Sequence, residues 1–232
     1  MLINLRNALM AGKRTPTAKD YVQSGLVAAL DCIENGGYGV HVDGQIPIDL
    51  AGGAVVTKTG NVSISADSLT LDSGAYLSLS VAGVGNSIDA SNFTLQICGK
   101  FGNAGTNVPL LGIGNRGVWI WRGNNYTIAE ATIKTTGYNN VSVVRYVNLD
   151  RFSFSLTMGL SPMFSFSDGS SVAAKYGTLT NVGTDVVEIG RMGTFTSGVN
   201  REYCAVRIYN RNLTTSEIAA NHAIDKARFG LP

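Results

Sequence analysis

Apolar and hydroxyl side chains alternate without a break from Phe152 to Met158. Phe152, Phe154, Leu156 and Met158 fall on one side of an extended chain, and Ser153, Ser155 and Thr157 fall on the other. Successive side chains of a strand point to opposite faces, so this run predicts a strand with one greasy face. The segment NFTLQICGKF repeats the pattern, with Phe93, Leu95, Ile97 and Phe101 on one face and Thr94, Gln96, Cys98 and Lys100 on the other. Shorter runs predict further strands: GLVAAL, NVSIS, AYLSLSV, GVWIW, VSVVRYV, MFSFS, DVVEIG and YCAVRIY. Turn signals such as Asn35-Gly36-Gly37, Asn139-Asn140 and Asp168-Gly169 separate them. Many short strands with little helix predict a sandwich or a barrel.

Only the C-terminus carries a convincing helical period. Thr214-Thr215-Ser216-Glu217 reads as a capping box, in which the Thr214 hydroxyl and the Glu217 carboxylate each satisfy a free backbone N–H. Leu213 and Ile218 flank the cap as a hydrophobic staple, and Gly230 ends the run. The helix gathers Ala219, Ala220, Ala223, Ile224 and Ala227 on one broad face and Glu217, Asn221, Asp225 and Arg228 on the other. The small-residue face is therefore expected against a sheet, with His222 at its edge as a hydrogen-bonded packing residue. Residues 1–20 differ in kind. They hold Leu2, Leu5 and Leu9 at helical spacing, Gly12 as a stop, and a basic KRTPTAK connector. The chain thus divides into an N-terminal amphipathic and basic segment, 1–20, suited to anchoring, and one domain, 21–232.

Composition narrows the function classes. Charged residues make up 15% of the 232 residues, against roughly 25% in an average soluble domain. The net charge is +2, and the basic residues are scattered except for Lys13, Arg14 and Lys19, which excludes an electrostatic nucleic-acid surface. Cys32, Cys98 and Cys204 are too few, too far apart and odd in number for a disulfide framework or a thiolate metal site. They read as small buried hydrophobes, with Cys204 on one apolar face alongside Val206 and Ile208. No run reaches the length of a membrane span, and Asn4, Arg6 and Asn7 interrupt the opening apolar stretch, so no signal peptide is read.

The closing segment RIYNRNLTTSEIAANHAIDKARFG places Arg207, Tyr209, Arg211, Leu213, Thr214, Glu217 and Ile218 in an R-x-Y-x-R pattern followed by T-x-x-E-I. It resembles the end of the laminin-G-like jelly rolls of the concanavalin A-like lectin/glucanase superfamily, where a last core strand leads into a short helix. GLVAALDCIENGG, LTLDSGAYLSL, NFTLQICGKF and DVVEIGR resemble other strands of that family, so the likeness runs over residues 21–229. It implies an all-β fold: a two-sheet antiparallel jelly-roll sandwich with one short C-terminal helix and a short helical or extended N-terminal segment. It does not fix a function, because the fold hosts lectins, glycosidases, calcium-dependent adhesins and structural modules. The opening LINLRNALMAGKRTPTAKDYV followed by GLVA resembles proteins encoded by gut bacteria and their phages. That implies a protein made in the cytoplasm that acts in a virion or on an extracellular surface.

Catalytic patterns are weak. Family glucanases carry E-x-D-x-x-E on one strand, and no such string occurs. The nearest acids, Asp185 and Glu188, are three apart and so point to opposite faces. His41 and His222 accompany no G-x-S-x-G elbow and no zinc spacing. Gly112-Ile113-Gly114-Asn115-Arg116-Gly117 fits a dinucleotide fingerprint, but a strand follows it where a helix is needed, so a hairpin turn is expected. Calcium binding in relatives directs attention to the loop acids Asp43, Asp49, Asp72 and Asp168, although none lies in a dense D-x-D run.

One stretch holds the groups that recognise sugars. Trp119, Trp121, Arg122, Asn124, Asn125 and Tyr126 bring aromatic faces, a guanidinium and amides into one hairpin. Trp119 and Trp121 share a strand face, which either packs into the core or forms a platform for a sugar. The expected function is a non-catalytic, lectin-like module that binds a glycan or surface polysaccharide. The alternative is a purely structural virion protein, a capsid decoration or tail-associated subunit, held to other virion or surface proteins through residues 1–20.

Overall fold

Period-two runs make strands because each needs a partner for its backbone and a covering for its apolar face. In the computed structural model they do so in two stacked antiparallel sheets. The structure describes residues 16–32, 47, 49–65, 68–81, 92–100, 108–113, 118–122, 128–134, 140–146, 151–158, 163–166, 169–173 and 186–231. Strands are numbered in chain order. One sheet has eight strands in the order Ser171–Ala173 (β13), Met163–Phe166 (β12), Arg151–Thr157 (β11), Thr94–Lys100 (β6), Arg201–Tyr209 (β17), Leu69–Leu71 (β4) and Val62–Ile64 (β3). Leu26–Asp31 (β1) pairs with the second half of β17, on the edge whose first half bonds β4. The other sheet has seven: Asn140–Tyr146 (β10), Ile128–Lys134 (β9), Val118–Arg122 (β8), Val108–Ile113 (β7), Val186–Ile189 (β14), Tyr76–Val81 (β5) and Ala54–Thr59 (β2). A hairpin of Arg191–Met192 (β15) and Phe195–Thr196 (β16) packs against β7. The all-β expectation holds.

The core lies between the sheets. Phe152, Phe154, Leu156 and Met158 meet Phe93, Leu95 and Ile97 there, with Leu77, Leu79, Leu111, Ile113, Val187 and Ile189 from the facing sheet. The rings of Phe152, Phe154, Phe164 and Phe166 stack or meet edge to face at centroid distances of 4.7–5.4 Å, the geometry aromatic quadrupoles prefer. The strands flanking the glycine-rich 112–117 segment pair with each other, Ile113 opposite Val118, as a hairpin requires.

Two expectations fail, both for non-local reasons. A register shift between Tyr203 and Ala205 separates Cys204 from the face of Val206 and Ile208, since one extra residue inverts the alternation. Cys204 instead joins Cys32 and Cys98 in a small buried cluster with Ala205, Phe229 and Leu231. The three cysteines are buried and form no disulfide.

The helix Thr215–Phe229 (α1) is also turned about its axis. Ala219, Ala220, Ala223 and Ala227 are exposed, whereas Ile218, Asn221, His222, Asp225 and Phe229 are buried. Arg228, expected outside, pairs with Asp31 of β1. The outer face of the eight-stranded sheet presents Gln96, Ser153, Ser155 and Arg207, all buried. Buried polar groups without partners cost more than buried alanines gain, so the polar side of the helix faces the sheet.

The helix ends are as expected. The Thr214 side chain accepts from the Glu217 N–H, and the Glu217 carboxylate accepts from the Thr214 N–H at 2.8 Å. Gly230 closes the other end in the left-handed region at φ 61°. Hydrogen bonds from Arg211 and Thr214 hold the Glu217 carboxyl down to about 2. Its contribution is therefore present above the ordinary carboxylate value of about 4.3 and is lost as pH falls toward 2. Urea unfolding across pH is expected to show Glu217→Gln less stable than wild type at neutral pH, with the gap closing over that window.

Candidate functional site

The two sheets treat their outer faces differently. On the eight-stranded sheet most of the polar groups are engaged internally, although Arg207 Nη1 and Thr157 Oγ1 are buried without a hydrogen-bond partner. Asp225 accepts from Tyr21 Oη at 2.8 Å, from Arg207 Nη2 at 2.8 and 2.7 Å, and from Ser153 Oγ at 2.7 Å. Gln96 Nε2 donates to Ser155 Oγ at 2.7 Å, and the two ring nitrogens of His222 lie 2.8 Å from Ser153 Oγ and 3.2 Å from Ser155 Oγ. The contacts run from Gln96 through Ser155, His222 and Ser153 to Asp225, with His222 Nδ1 donating because the single Ser153 Oγ proton goes to Asp225. Serine, histidine and aspartate are thus together, but the carboxylate contacts the serine rather than the imidazole, which is not the connectivity of a nucleophilic triad. Asn221 Nδ2 donates to Gln96 Oε1 at 2.6 Å and to Tyr209 Oη at 3.0 Å. Burial favours a neutral Arg207; the Asp225 carboxylate more than reverses this and holds the guanidinium charged. This network joins helix to sheet. It is a structural joint under cover.

The outer face of the seven-stranded sheet is built otherwise. Thr57, Ser78, Glu188, Gly112, Trp119, Thr132 and Ser142 stand opposite one another in register, one per strand from β2 to β10. Paired residues of an antiparallel sheet share a face. The intervening positions Leu77, Leu79, Leu111, Ile113, Val187 and Ile189 belong to the core, so this row is the outward one. Trp121, two residues beyond Trp119, falls on the same face opposite Glu130.

At the β5–β14 end of this face Glu188, Arg191 and Tyr76 form a cluster. Arg191 Nη1 lies 3.1 Å from Glu188 Oε1, with the side chains 26% and 16% exposed. The Arg191 guanidinium carbon stands 4.5 Å from the centre of the Tyr76 ring, within cation–π range. Burial raises the Glu188 carboxyl above its usual range, and Arg191 partly offsets this. The cluster is held from beneath by Arg201 of β17, which crosses between the sheets. Its Nη1 donates to Gly190 O at 2.9 Å, and its Nη2 donates to Asp72 O at 2.8 Å and Ala75 O at 2.5 Å. Gly190 and Ala75 immediately precede Arg191 and Tyr76, so one buried guanidinium fixes where both leave the sheet. The β15–β16 hairpin beside them carries Phe195, 44% exposed.

The sequence-predicted ligand residues are divided. Trp119 and Trp121 lie on the outward row, whereas Arg122 falls on the opposite face, in register with Val108 and Ala129. Asn124, Asn125 and Tyr126 lie outside the described residues. Asp43 and Asp168, of the calcium candidates, also lie outside them. Asp49 is buried and committed elsewhere: Oδ1 accepts from the N–H of Ala29 at 2.7 Å and Ala51 at 3.1 Å, and Oδ2 accepts from Ala54 at 2.7 Å. It braces a turn instead of facing a loop cation. Asp72 is half-buried beside the Arg201 staple. Among the described residues no three His, Cys, Asp or Glu side chains converge on a metal position. Sequence reasoning missed Glu188, Arg191 and Tyr76 as a group; the available signal was Glu188 and Ser78, polar residues alternating with core positions in adjoining strands.

No protein-family model matches the chain, and no curated protein matches it by sequence. Solved structures do. The binding domain of botulinum neurotoxin DC in complex with SialylT superposes with a TM-score of 0.65 at 12% identity, over 87% of this chain and 52% of that one. The botulinum neurotoxin type G receptor binding domain gives 0.65 at 13%, over 87% and 52%. A structure of botulinum neurotoxin type C, a toxin whose cell entry is dependent upon interaction with two ganglioside molecules, gives 0.64 at 13%, over 87% and 51%. The likeness is one of fold. The chain spans about half the length of these structures.

Proposed function

We propose that this chain is a concanavalin A-like, laminin-G-like sandwich module that binds carbohydrate without cleaving it, through the outer face of the seven-stranded sheet. The observation that carries this reading is the contrast between the two outer faces. One is covered by a helix that binds most of its polar groups; the other, beside the hairpin packed on β7, presents the Thr57 and Ser78 hydroxyls, the Glu188 carboxylate, the Arg191 guanidinium and the Tyr76 ring. Glycan-associated binding domains of the same fold support it.

Trp121→Ala is expected to abolish binding on a glycan array while leaving the thermal transition nearly unmoved. Loss of folding would instead make Trp121 a packing residue. A second reading, a structural subunit of a virion or cell surface, is favoured by the edge strand β2, where Val55 is 65% exposed. Edge strands and exposed apolar residues are common contact points between chains. Silence of the folded wild type across the array would decide for that reading.

A further inference from the structure

We propose that Glu188, Arg191 and Tyr76 form a subsite for two adjacent hydroxyls of a neutral sugar, an inference that rests on the carbohydrate-binding reading and narrows its ligand. Each member of the cluster has hydrogen-bonding capacity to spare. Arg191 Nη1 is engaged by Glu188 Oε1, while among the described residues Glu188 Oε2, Arg191 Nε and Nη2, and Tyr76 Oη make no further hydrogen bond. The cluster therefore presents an acceptor, donors and a hydroxyl side by side, held at a fixed spacing by the ion pair and by the Tyr76 ring. A vicinal diol matches that array. One hydroxyl donates to Glu188 Oε2, and its neighbour accepts from Arg191.

Charge selects the class of sugar. Glu188 and Arg191 cancel, and their register neighbours Thr57, Ser78 and Gly112 are uncharged. An acidic sugar would set a carboxylate against Glu188, and like charges brought together at an interface are strongly disfavoured. A neutral pyranose meets no such penalty. The positions are braced from below by Arg201 through Gly190 O and Ala75 O, so little ordering remains to be done on binding.

The test uses the full chain, in solution against immobilised dextran, mannan and galactan as neutral probes, and polygalacturonate and polysialic acid as acidic ones. Wild type is expected to bind at least one neutral polysaccharide, with an affinity that added salt does not change. Glu188→Gln and Arg191→Met are expected to weaken it roughly tenfold or more, the scale of a lost charge-assisted hydrogen bond, and Tyr76→Phe by less. Should Glu188→Gln fail to fold by circular dichroism, Arg191→Lys keeps the charge, removes the planar guanidinium fork that reaches Glu188 and a hydroxyl together, and carries the test alone. Neutral binding that is equal in all variants overturns the subsite and leaves the carbohydrate reading standing. Binding to acidic probes alone, lost in Arg191→Met and kept in Glu188→Gln, overturns the neutral ligand. Silence toward every probe overturns both.

Discussion

Asp225→Ala is expected to cost the domain roughly 3–5 kcal/mol, the range for removing one partner of a buried ion pair. Asp225 is fully buried and binds the Arg207 guanidinium, the Tyr21 hydroxyl and the Ser153 hydroxyl at once. Without it Arg207, 2% exposed, keeps a charge that burial alone disfavours. The Tyr21 ring, with its centre 3.9 Å from the guanidinium carbon, offsets only part of that. In a domain of this size such a loss lowers the melting temperature by roughly 6–20 °C. Urea unfolding and thermal melts check the figure; a loss below about 1 kcal/mol would show that the pair is not buried as described. The double variant Arg207→Met/Asp225→Leu is expected to recover much of the deficit, because replacing both charges removes the uncompensated one.

Arg201→Met is the second large effect, and it reaches the ligand face. The substitution takes the donor from the carbonyls of Gly190 and Ala75, while Asp72 O keeps the N–H of Ala75. Each orphaned buried acceptor costs on the order of 1 kcal/mol or more, so about 2 kcal/mol is expected in all. Gly190, at φ 84°, adopts a left-handed turn that Arg201 helps to hold. Slackening it moves Arg191 away from Glu188 and Tyr76. Glycan affinity is therefore expected to fall in variant protein that is still folded, measured well below its melting temperature. Unchanged affinity would mean that the strands alone position the cluster.

The strands of the fold were legible because their signal is local. Phe152 through Met158 alternates in sequence and packs as it alternates, and the capping box at Thr214 and Glu217 spans three residues. The ligand face was half legible. Trp119 and Trp121 could be assigned to one face by parity, but which face needed the partner strands, since only their pairing with Gly112 and Glu130 connects them to the outward row. Arg191 and Tyr76 are more than a hundred residues apart in sequence and meet only after β5 pairs with β14.

By itself the sequence determined the all-β class, the runs that form ten of the strands, the apolar faces of β6 and β11, and the capped helix at the end. These follow from backbone geometry with periods of two and 3.6 residues, which any stretch of chain obeys alone. Only the tertiary structure decided that the helix buries Asn221, His222 and Asp225 in place of its alanines, that a bulge sends Cys204 to join Cys98, and that Glu188, Arg191 and Tyr76 come together. The physical reason is shared by all three: each depends on which distant strand or helix lies opposite, and neither the two-residue nor the 3.6-residue period specifies that.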